Sequence, residues 1–313
     1  MRLLARHGWT VGLCVLLALL LLLTKLIQPS FGLSGLQSLA QAALPFVLAT
    51  AGMAIVVIVG GIDLSIASMM AVAGVTAAVL MDGTGEGLSV VMVLAVLALG
   101  VGMGALNGLL IVVTRVPDIV VTLAMLFVWE GTALLILNAP GGDAAEWLRG
   151  LLRGGVMGVP SALIVGLVAV AAVWIPVKRS RLGLAIYAVG SDMRAAFRSG
   201  VAVGPTRIAA YALAGLFAAM GGLALTAATG VGEPIPGPYL LASVAAVVLG
   251  GVQLGGGIGG LLGPIVAVFI LRTVRLDLTL LSVDPNVTTI VEGVIMVLVV
   301  MLGGVLAMRG RRT

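Results

Sequence analysis

The residues of this sequence that could contact a ligand are a few polar side chains within or beside long apolar runs. Asp63 and Gln253 each follow a pair of glycines, while Asn107, Trp129 and Glu130 lie inside apolar runs. A carboxylate in hydrocarbon is costly and is a functional candidate by default. An indole next to a carboxylate suits a sugar ring, because the indole stacks on a C–H face and the carboxylate accepts hydroxyl hydrogen bonds. We predict that these five residues line a ligand pathway.

Asp63 also has a structural interpretation. It can cap the helix that follows and lie at the membrane interface, with Ser65 and Ser68 assisting. The sequence leaves both roles of this carboxylate open.

The other polar residues have structural interpretations as well. Trp129 can belong to an aromatic belt, and Glu130 can pair with an arginine such as Arg272. Asn107 and Glu292 are suited to hydrogen bonds between helices. These alternatives stay open beside the ligand pathway.

The sequence lacks the residues that an enzyme within a membrane would need. His7 is the only histidine and Cys14 is the only cysteine. Neither a metal cluster nor a Cys/His pair can be assembled from them, and no Walker A motif is present. We predict no catalytic residue, no metal site and no cofactor bound by this chain.

The composition is that of a membrane protein. Apolar residues make up 61% of the chain and charged residues 9%, against about 45–50% and about 25% in soluble domains. The apolar runs are continuous rather than alternating, which favours helices over a barrel. The prediction is an all-α, polytopic helix bundle of about ten transmembrane helices, forming one domain over residues 1–313. The 45 glycines indicate close helix packing.

Ten apolar blocks are long enough, or nearly so, to be crossings. They are Val11–Ile27, Leu36–Val59, Ile66–Met81, Leu88–Val113, Ile119–Leu137, Ser161–Val177, Ile208–Thr229, Tyr239–Val252, Ile258–Leu271 and Val287–Met308.

The basic residues predict the orientation of these blocks. Arg2 and Arg6 precede the first block, a pattern shared with signal peptides, but no small-residue cleavage site follows promptly, so we expect an uncleaved helix. Ten crossings then place both termini in the cytoplasm. They also place the densest basic loop, Lys178–Arg207, inside, as the positive-inside rule requires. The net charge of +5 therefore reflects membrane orientation rather than binding to nucleic acid.

The cytoplasmic loop contains a short amphipathic pattern. Ser191 is a plausible N-cap and Gly200 a plausible stop for a helix over 192–199. Met193 and Phe197 share an apolar face of that helix. The pattern fits docking on a partner and equally fits a connector resting at the interface.

Four segments resemble the permease subunits of ribose-type ABC importers. Tyr187–Val201 is similar to the coupling segment A-x-G-x-N-x-x-A-A-x-x-S-G-I, with Asp192 where Asn is usual. Gly60–Gly74 contains G-G-I-D-L-S, and Pro238–Gly260 is similar to the glycine-rich block of that family. Val116–Leu137 is similar to P-x-I-V-T-L-x-x-M, but Trp-Glu-Gly stands where R-G is usual. The positions predicted to couple to the ATPase are Ala188, Gly190, Ser191, Asp192, Ala195, Ala196, Ser199 and Gly200.

The resemblance implies a type II-like permease that carries a monosaccharide or polyol into the cytoplasm across the bacterial inner membrane. It implies a second permease copy or paralogue, cytoplasmic ATPase subunits that hold ATP and Mg²⁺, a periplasmic or lipid-anchored sugar-binding protein, and contact with membrane lipid. One alternative is an ion-coupled carrier that uses Asp63, Glu130 and Glu292 as ion sites. A second is a branched-chain amino acid ABC permease.

Overall fold

The chain folds almost entirely into helices. The computed structural model describes residues 2–235 and 237–310, and within them it contains thirteen helices and one small hairpin. Arg311 and Arg312, in the carboxyl terminus that is expected to lie in the cytoplasm, are outside the described residues. The elements are α1 (Arg2–Ile27), α2 (Leu33–Ile58), α3 (Ile66–Met81), α4 (Glu86–Thr114), α5 (Asp118–Ile136), α6 (Glu146–Leu152), β1 (Gly155–Val156), β2 (Val159–Pro160), α7 (Ser161–Arg179), α8 (Arg181–Ser191), α9 (Met193–Arg198), α10 (Val203–Thr229), α11 (Tyr239–Leu249), α12 (Leu262–Leu280) and α13 (Pro285–Gly310).

The centre of the bundle is α2. Almost every residue from Leu39 to Ile58 is buried, and α3 and α10 pack against this helix. A helix that is apolar on all sides is stable only when it is surrounded by other helices. The peripheral helices α1, α4, α5 and α7 instead expose large apolar side chains on their outer faces, as lipid contact requires.

Six helices of the described chain are long and apolar enough to cross a membrane. They are α1 from Gly8 onward, α2, α4, α5, α7 and α10, while α3 and α11 are apolar but shorter. The prediction of a polytopic helical membrane protein is thereby confirmed. Each of the ten predicted blocks overlaps one helix, but the number of crossings stays a prediction.

Glycines bring α4 and α10 into close contact. A Cβ at Gly104 would overlap the carbonyl oxygen of Tyr211, and one at Gly215 would overlap the carbonyl oxygen of Gly100. Small residues permit this approach of two backbones, so the glycine content does serve tight packing.

The structure differs from the prediction at two boundaries. The last helix but one runs from Leu262 to Leu280 rather than over Ile258–Leu271. It begins later because Gly256, Gly257 and Gly259 adopt positive φ, and it continues past its two arginines. The all-α prediction also missed the hairpin of β1 and β2. Its central residues Met157 and Gly158 both have positive φ, as a tight two-residue hairpin turn requires.

Candidate substrate and coupling sites

A chain of side-chain hydrogen bonds joins three of the predicted pathway residues. The indole N–H of Trp129 donates to Asn107 Oδ1 at 3.3 Å, and Asn107 Nδ2 donates to Ser65 Oγ at 2.7 Å. Ser65 Oγ donates in turn to Asp63 Oδ1 at 2.7 Å. Every donor in this chain points toward the carboxylate of Asp63. The chain starts on α5, passes through α4 and ends at Asp63, just before α3.

Asp63 is fully buried within the protein. Its Oδ1 also accepts the backbone N–H of Ser65 at 2.9 Å, and Ser68 donates to the Ser65 carbonyl oxygen. This is a turn before α3 rather than a cap, because the N-cap residue is Ser65 and no side chain caps the helix. Asp63 Oδ2 is buried and has no hydrogen-bond partner among the described residues. A buried carboxylate oxygen without a partner is costly and calls for an explanation.

Glu130 and Gln253 are not part of this chain of hydrogen bonds. Glu130 is half-buried and forms no ion pair within the described residues, and Gln253 is exposed in the loop after α11. The predicted pairing of Glu130 with Arg272 is wrong. The Arg272 guanidinium lies over the Phe46 ring instead, 5.2 Å from its centroid.

The two glycine pairs end helices, as the sequence indicated, and the segments that follow them meet beside α8. Gly60, with φ of 90°, follows α2. A Cβ at Gly256 would overlap both Gly60 and Gly190, and a Cβ at Gly190 would overlap the Ile58 carbonyl oxygen. That oxygen accepts the Gly257 N–H at 2.8 Å. We call this contact of Ile58–Gly60, Gly190 and Gly256–Gly257 the glycine seam.

A tyrosine reinforces the attachment of α8. The Tyr187 hydroxyl donates to the Gly259 carbonyl oxygen at 2.9 Å, and burial raises the pKa of this phenol above its ordinary value. The hydroxyl therefore stays a neutral donor. Together with the seam it attaches α8 to the end of α2 and to the loop after α11.

The short helix after α8 projects from the bundle. The predicted N-cap Ser191 is wrong: Ser191 ends α8 and donates to the Tyr187 carbonyl oxygen, whereas Asp192 Oδ1 accepts the N–H groups of Arg194 and Ala195 and caps α9. Gly200, with φ of 83°, ends the helix as predicted.

The surface of this helix is open. Ala196 is its buried residue, whereas Met193 is 42% exposed and Phe197 is 72% exposed. Of the predicted coupling positions, Ala188 and Gly190 face the bundle, and Asp192, Ala195, Ser199 and Gly200 are exposed with α9. An exposed aromatic ring on a projecting, capped helix is a feature of contact surfaces.

Sequence analysis missed a partly buried ion pair near the chain of hydrogen bonds. Asp118, the first residue of α5, pairs with Arg207 of α10 and accepts the Tyr211 hydroxyl at 2.7 Å. Thr122 donates to the Ile62 carbonyl oxygen at 3.2 Å, in the segment that carries Asp63. The available cue was an acidic residue directly after Val-Pro at the start of an apolar block, but its partner is 89 residues away. We call Asp118, Arg207 and Tyr211 the latch.

Comparison with known proteins gives consistent relatives over nearly the whole chain. Residues 35–300 match the family described as the permease component of branched-chain amino acid transport systems. The chain is 33% identical to the ribose import permease protein of Escherichia coli strain K12, covering 93% of this chain and 92% of the relative. Identity to the ribose import permease protein of Bacillus subtilis strain 168 is 31%, covering 91% and 90%. For the autoinducer 2 import system permease protein of Escherichia coli strain K12 it is 28%, covering 94% and 92%. No solved structure matches the chain.

Proposed function

This chain belongs to the family of permease components of branched-chain amino acid transport systems, and we propose that it is the membrane-spanning subunit of an ABC importer for a monosaccharide or a similar small polyol. It is a multi-pass protein of the bacterial inner membrane. The relatives that it resembles are named for ribose and autoinducer 2 import, which favours a small hydroxylated substrate over an amino acid.

The observation that carries this proposal is that α8 is attached to the bundle and that α9, which follows it directly, projects from the bundle. α8 is held against α2 and the loop after α11 by the glycine seam, while α9 exposes Phe197 next to two arginines. A force on α9 would therefore reach the central helix of the bundle directly. A self-sufficient carrier has no need of such a projection, whereas a permease driven by separate ATPase subunits does.

The partners follow from this assignment. Two permeases, this chain twice or with a paralogue, would enclose the pathway, and ATP with Mg²⁺ would bind to the ATPase subunits that dock on α9. A periplasmic or lipid-anchored binding protein would deliver the sugar to the opposite face. Both termini and the 178–207 loop would then lie in the cytoplasm, with ten crossings and the remaining surface in lipid.

Asp63 is our candidate for a substrate contact within the pathway. Its unpartnered Oδ2 can accept a sugar hydroxyl, while Oδ1 is held by Ser65. Thr122, one turn after Asp118 on α5, donates to the carbonyl oxygen of Ile62 next to Asp63, so a movement of α5 on opening of the latch would also move Asp63. Access of substrate to Asp63 would then depend on whether the latch between α5 and α10 is open or closed.

The test is uptake of labelled pentoses, hexoses, polyols and leucine by vesicles that contain this chain with its ATPase and binding protein. We expect ATP-dependent uptake of one hydroxylated substrate. Phe197→Glu should reduce it about tenfold or more, as burial of an unpaired charge at an interface core would. Met157→Glu is the matched control, since Met157 is fully exposed on the hairpin at the opposite end of α7.

Two results would contradict the proposal. Uptake by this chain alone, driven by an ion gradient, would identify a secondary carrier. ATP-dependent uptake of leucine in preference to every sugar would identify an amino acid permease.

A further inference from the structure

A small cavity that contains charged side chains lies between α2, α11, α12 and α13, apart from the Asp63 chain of hydrogen bonds. Phe46, Tyr239, Arg272, Arg275 and Glu292 line it, with apolar residues closing the remainder. The cavity has a volume of about 40 Å³, and a site needs roughly 10–15 Å³ to hold one water. It therefore has room for a few waters or one compact polar group, not for a whole sugar ring.

Arg272 is held rigidly at this cavity. Its guanidinium lies 5.2 Å from the Phe46 ring centroid and 5.7 Å from the Tyr239 ring centroid. Its Nε is buried and has no hydrogen-bond partner among the described residues. Stacking orients the planar group and leaves the Nε–H without a hydrogen-bond acceptor, so this donor remains available to a ligand.

Among the residues that the structure describes, Arg272 has no ion-pair partner at this cavity. Glu292 pairs with Arg275 at 3.4 Å, and within the described residues no carboxylate lies within ion-pair distance of Arg272. The Arg272 guanidinium thus stands without direct ion pairing in a membrane-embedded bundle, where an unpaired cation is costly. A group that brings one negative charge would remove this cost.

We propose that this cavity binds an oxyanion, a carboxylate or phosphate group, with Arg272 as its main ligand. The source that fits an import pathway is an acidic sugar, such as a sugar acid or sugar phosphate, and this identification of the substrate class rests on the proposed function. An Arg guanidinium matches the two oxygens of such a group with two parallel hydrogen bonds.

The position of the cavity suits the entry of a substrate. Pro238 and Tyr239 begin α11, Glu292 lies in the first two turns of α13, and Arg275 lies near the end of α12. All three elements reach this end of the bundle, which is the outer end in the predicted orientation. An acidic sugar delivered from outside would meet the cavity before it meets Asp63.

The experiment measures ligand binding to the full-length chain in lipid nanodiscs by intrinsic tryptophan fluorescence and thermal unfolding. The probes are D-galacturonate and D-glucose 6-phosphate against neutral D-galactose and D-glucose. We expect the acidic probes to bind more tightly than their neutral counterparts. Arg272→Gln should weaken that binding about 10- to 100-fold, the loss of one charge-assisted hydrogen-bonded contact. Arg272→Lys should retain part of the binding of the acidic probes. Arg149→Gln, a change in the short helix α6, should have no effect on that binding.

The controls separate the possible sources and roles. Nanodiscs with and without phosphatidylglycerol test for a lipid phosphate: stabilisation by this lipid that needs Arg272, without binding of soluble probes, would support the oxyanion site and assign it to the membrane. Equal binding of acidic and neutral probes, or binding unchanged in Arg272→Gln, would overturn the proposal and leave Arg272 a structural brace. ATP-dependent uptake of a neutral sugar would still stand in that case, so the two proposals can fail separately.

Discussion

At the scale of single residues, the two oxygens of Asp63 have different surroundings. Oδ1 accepts two hydrogen bonds from Ser65, while Oδ2 is buried without a partner. A carboxylate used only to shape the turn before α3 would work as well with an amide in its place, because one carbonyl oxygen satisfies both Ser65 donors. The negative charge on the second oxygen is what a structural role leaves unexplained.

We predict that Asp63→Asn separates these roles. The free energy of unfolding should change by no more than about 1 kcal/mol, since the Ser65 hydrogen bonds remain. Uptake should fall about tenfold, because a neutral acceptor binds a hydroxyl more weakly than a charged one. The measurements are unfolding in mixed micelles and vesicle uptake, with Asn138→Asp, in an exposed loop, as the control. Full uptake by Asp63→Asn would establish a structural role alone.

The sequence was informative about Asp63, Asn107 and Trp129 because each is an unusual residue type within an apolar run. It could not show that they are joined, since Asn107 lies 42 residues from Ser65 and 22 from Trp129. Such separations are bridged only by the packing of α3, α4 and α5. Glu130 met the same criterion as Trp129 but faces elsewhere, because adjacent helical residues point in different directions.

At the scale of elements, the long apolar helices could be predicted from the sequence, and the short helix α8 could not. All ten apolar blocks became helices, because burying a backbone in a membrane demands internal hydrogen bonds. α8 was missed although its cues were present. Ser180 accepts the N–H groups of Leu182 and Gly183 at its start, and Ile186 and Val189 lie on its buried face. A basic loop was expected there, and the charges obscured the apolar spacing.

The latch joins α5 to α10, and a double-mutant cycle measures its strength. Asp118 and Arg207 have side chains that are only 16% and 15% exposed. Arg207→Met alone should destabilise the protein toward the lower end of about 3–5 kcal/mol, because Asp118 is left buried without its partner. Arg207→Met combined with Asp118→Asn should cost less than the sum of the two, with a coupling of about 1–3 kcal/mol.

The matched control for this cycle is the exposed pair of Arg153 and Glu146 on the outer surface. Their side chains are 55% and 61% exposed, so Arg153→Met with Glu146→Gln should show a coupling below about 1 kcal/mol. Additive effects at Asp118 and Arg207 would mean that the two side chains do not hold α5 to α10. The latch would then have no part in controlling access to Asp63.

At the scale of the whole molecule, the number of crossings depends on α11 and α12. α11 has 11 residues, or about 16 Å of helix, whereas a bilayer core is about 30 Å thick. The residues after it, up to Leu261, are not helical but contact Gly60 and Gly190 through the glycine seam. If Gly190 lies at the cytoplasmic side, the glycine seam places this irregular, partly exposed segment at that side as well.

Labelling of single cysteines decides between ten and eight crossings. In a Cys14→Ser background, Met157→Cys should react with a membrane-impermeant maleimide in intact spheroplasts, and Phe197→Cys should react only after permeabilisation. Leu254→Cys is the decisive variant, because Leu254 is 41% exposed in the loop between α11 and α12. Reaction of Leu254→Cys only after permeabilisation means that both helices cross and that the seam lies beside the ATPase. Reaction in intact spheroplasts would make α11 and α12 a re-entrant pair and reduce the number of crossings to eight. It would also remove the seam from the coupling route, since this loop cannot contact α8 from the opposite side of the membrane.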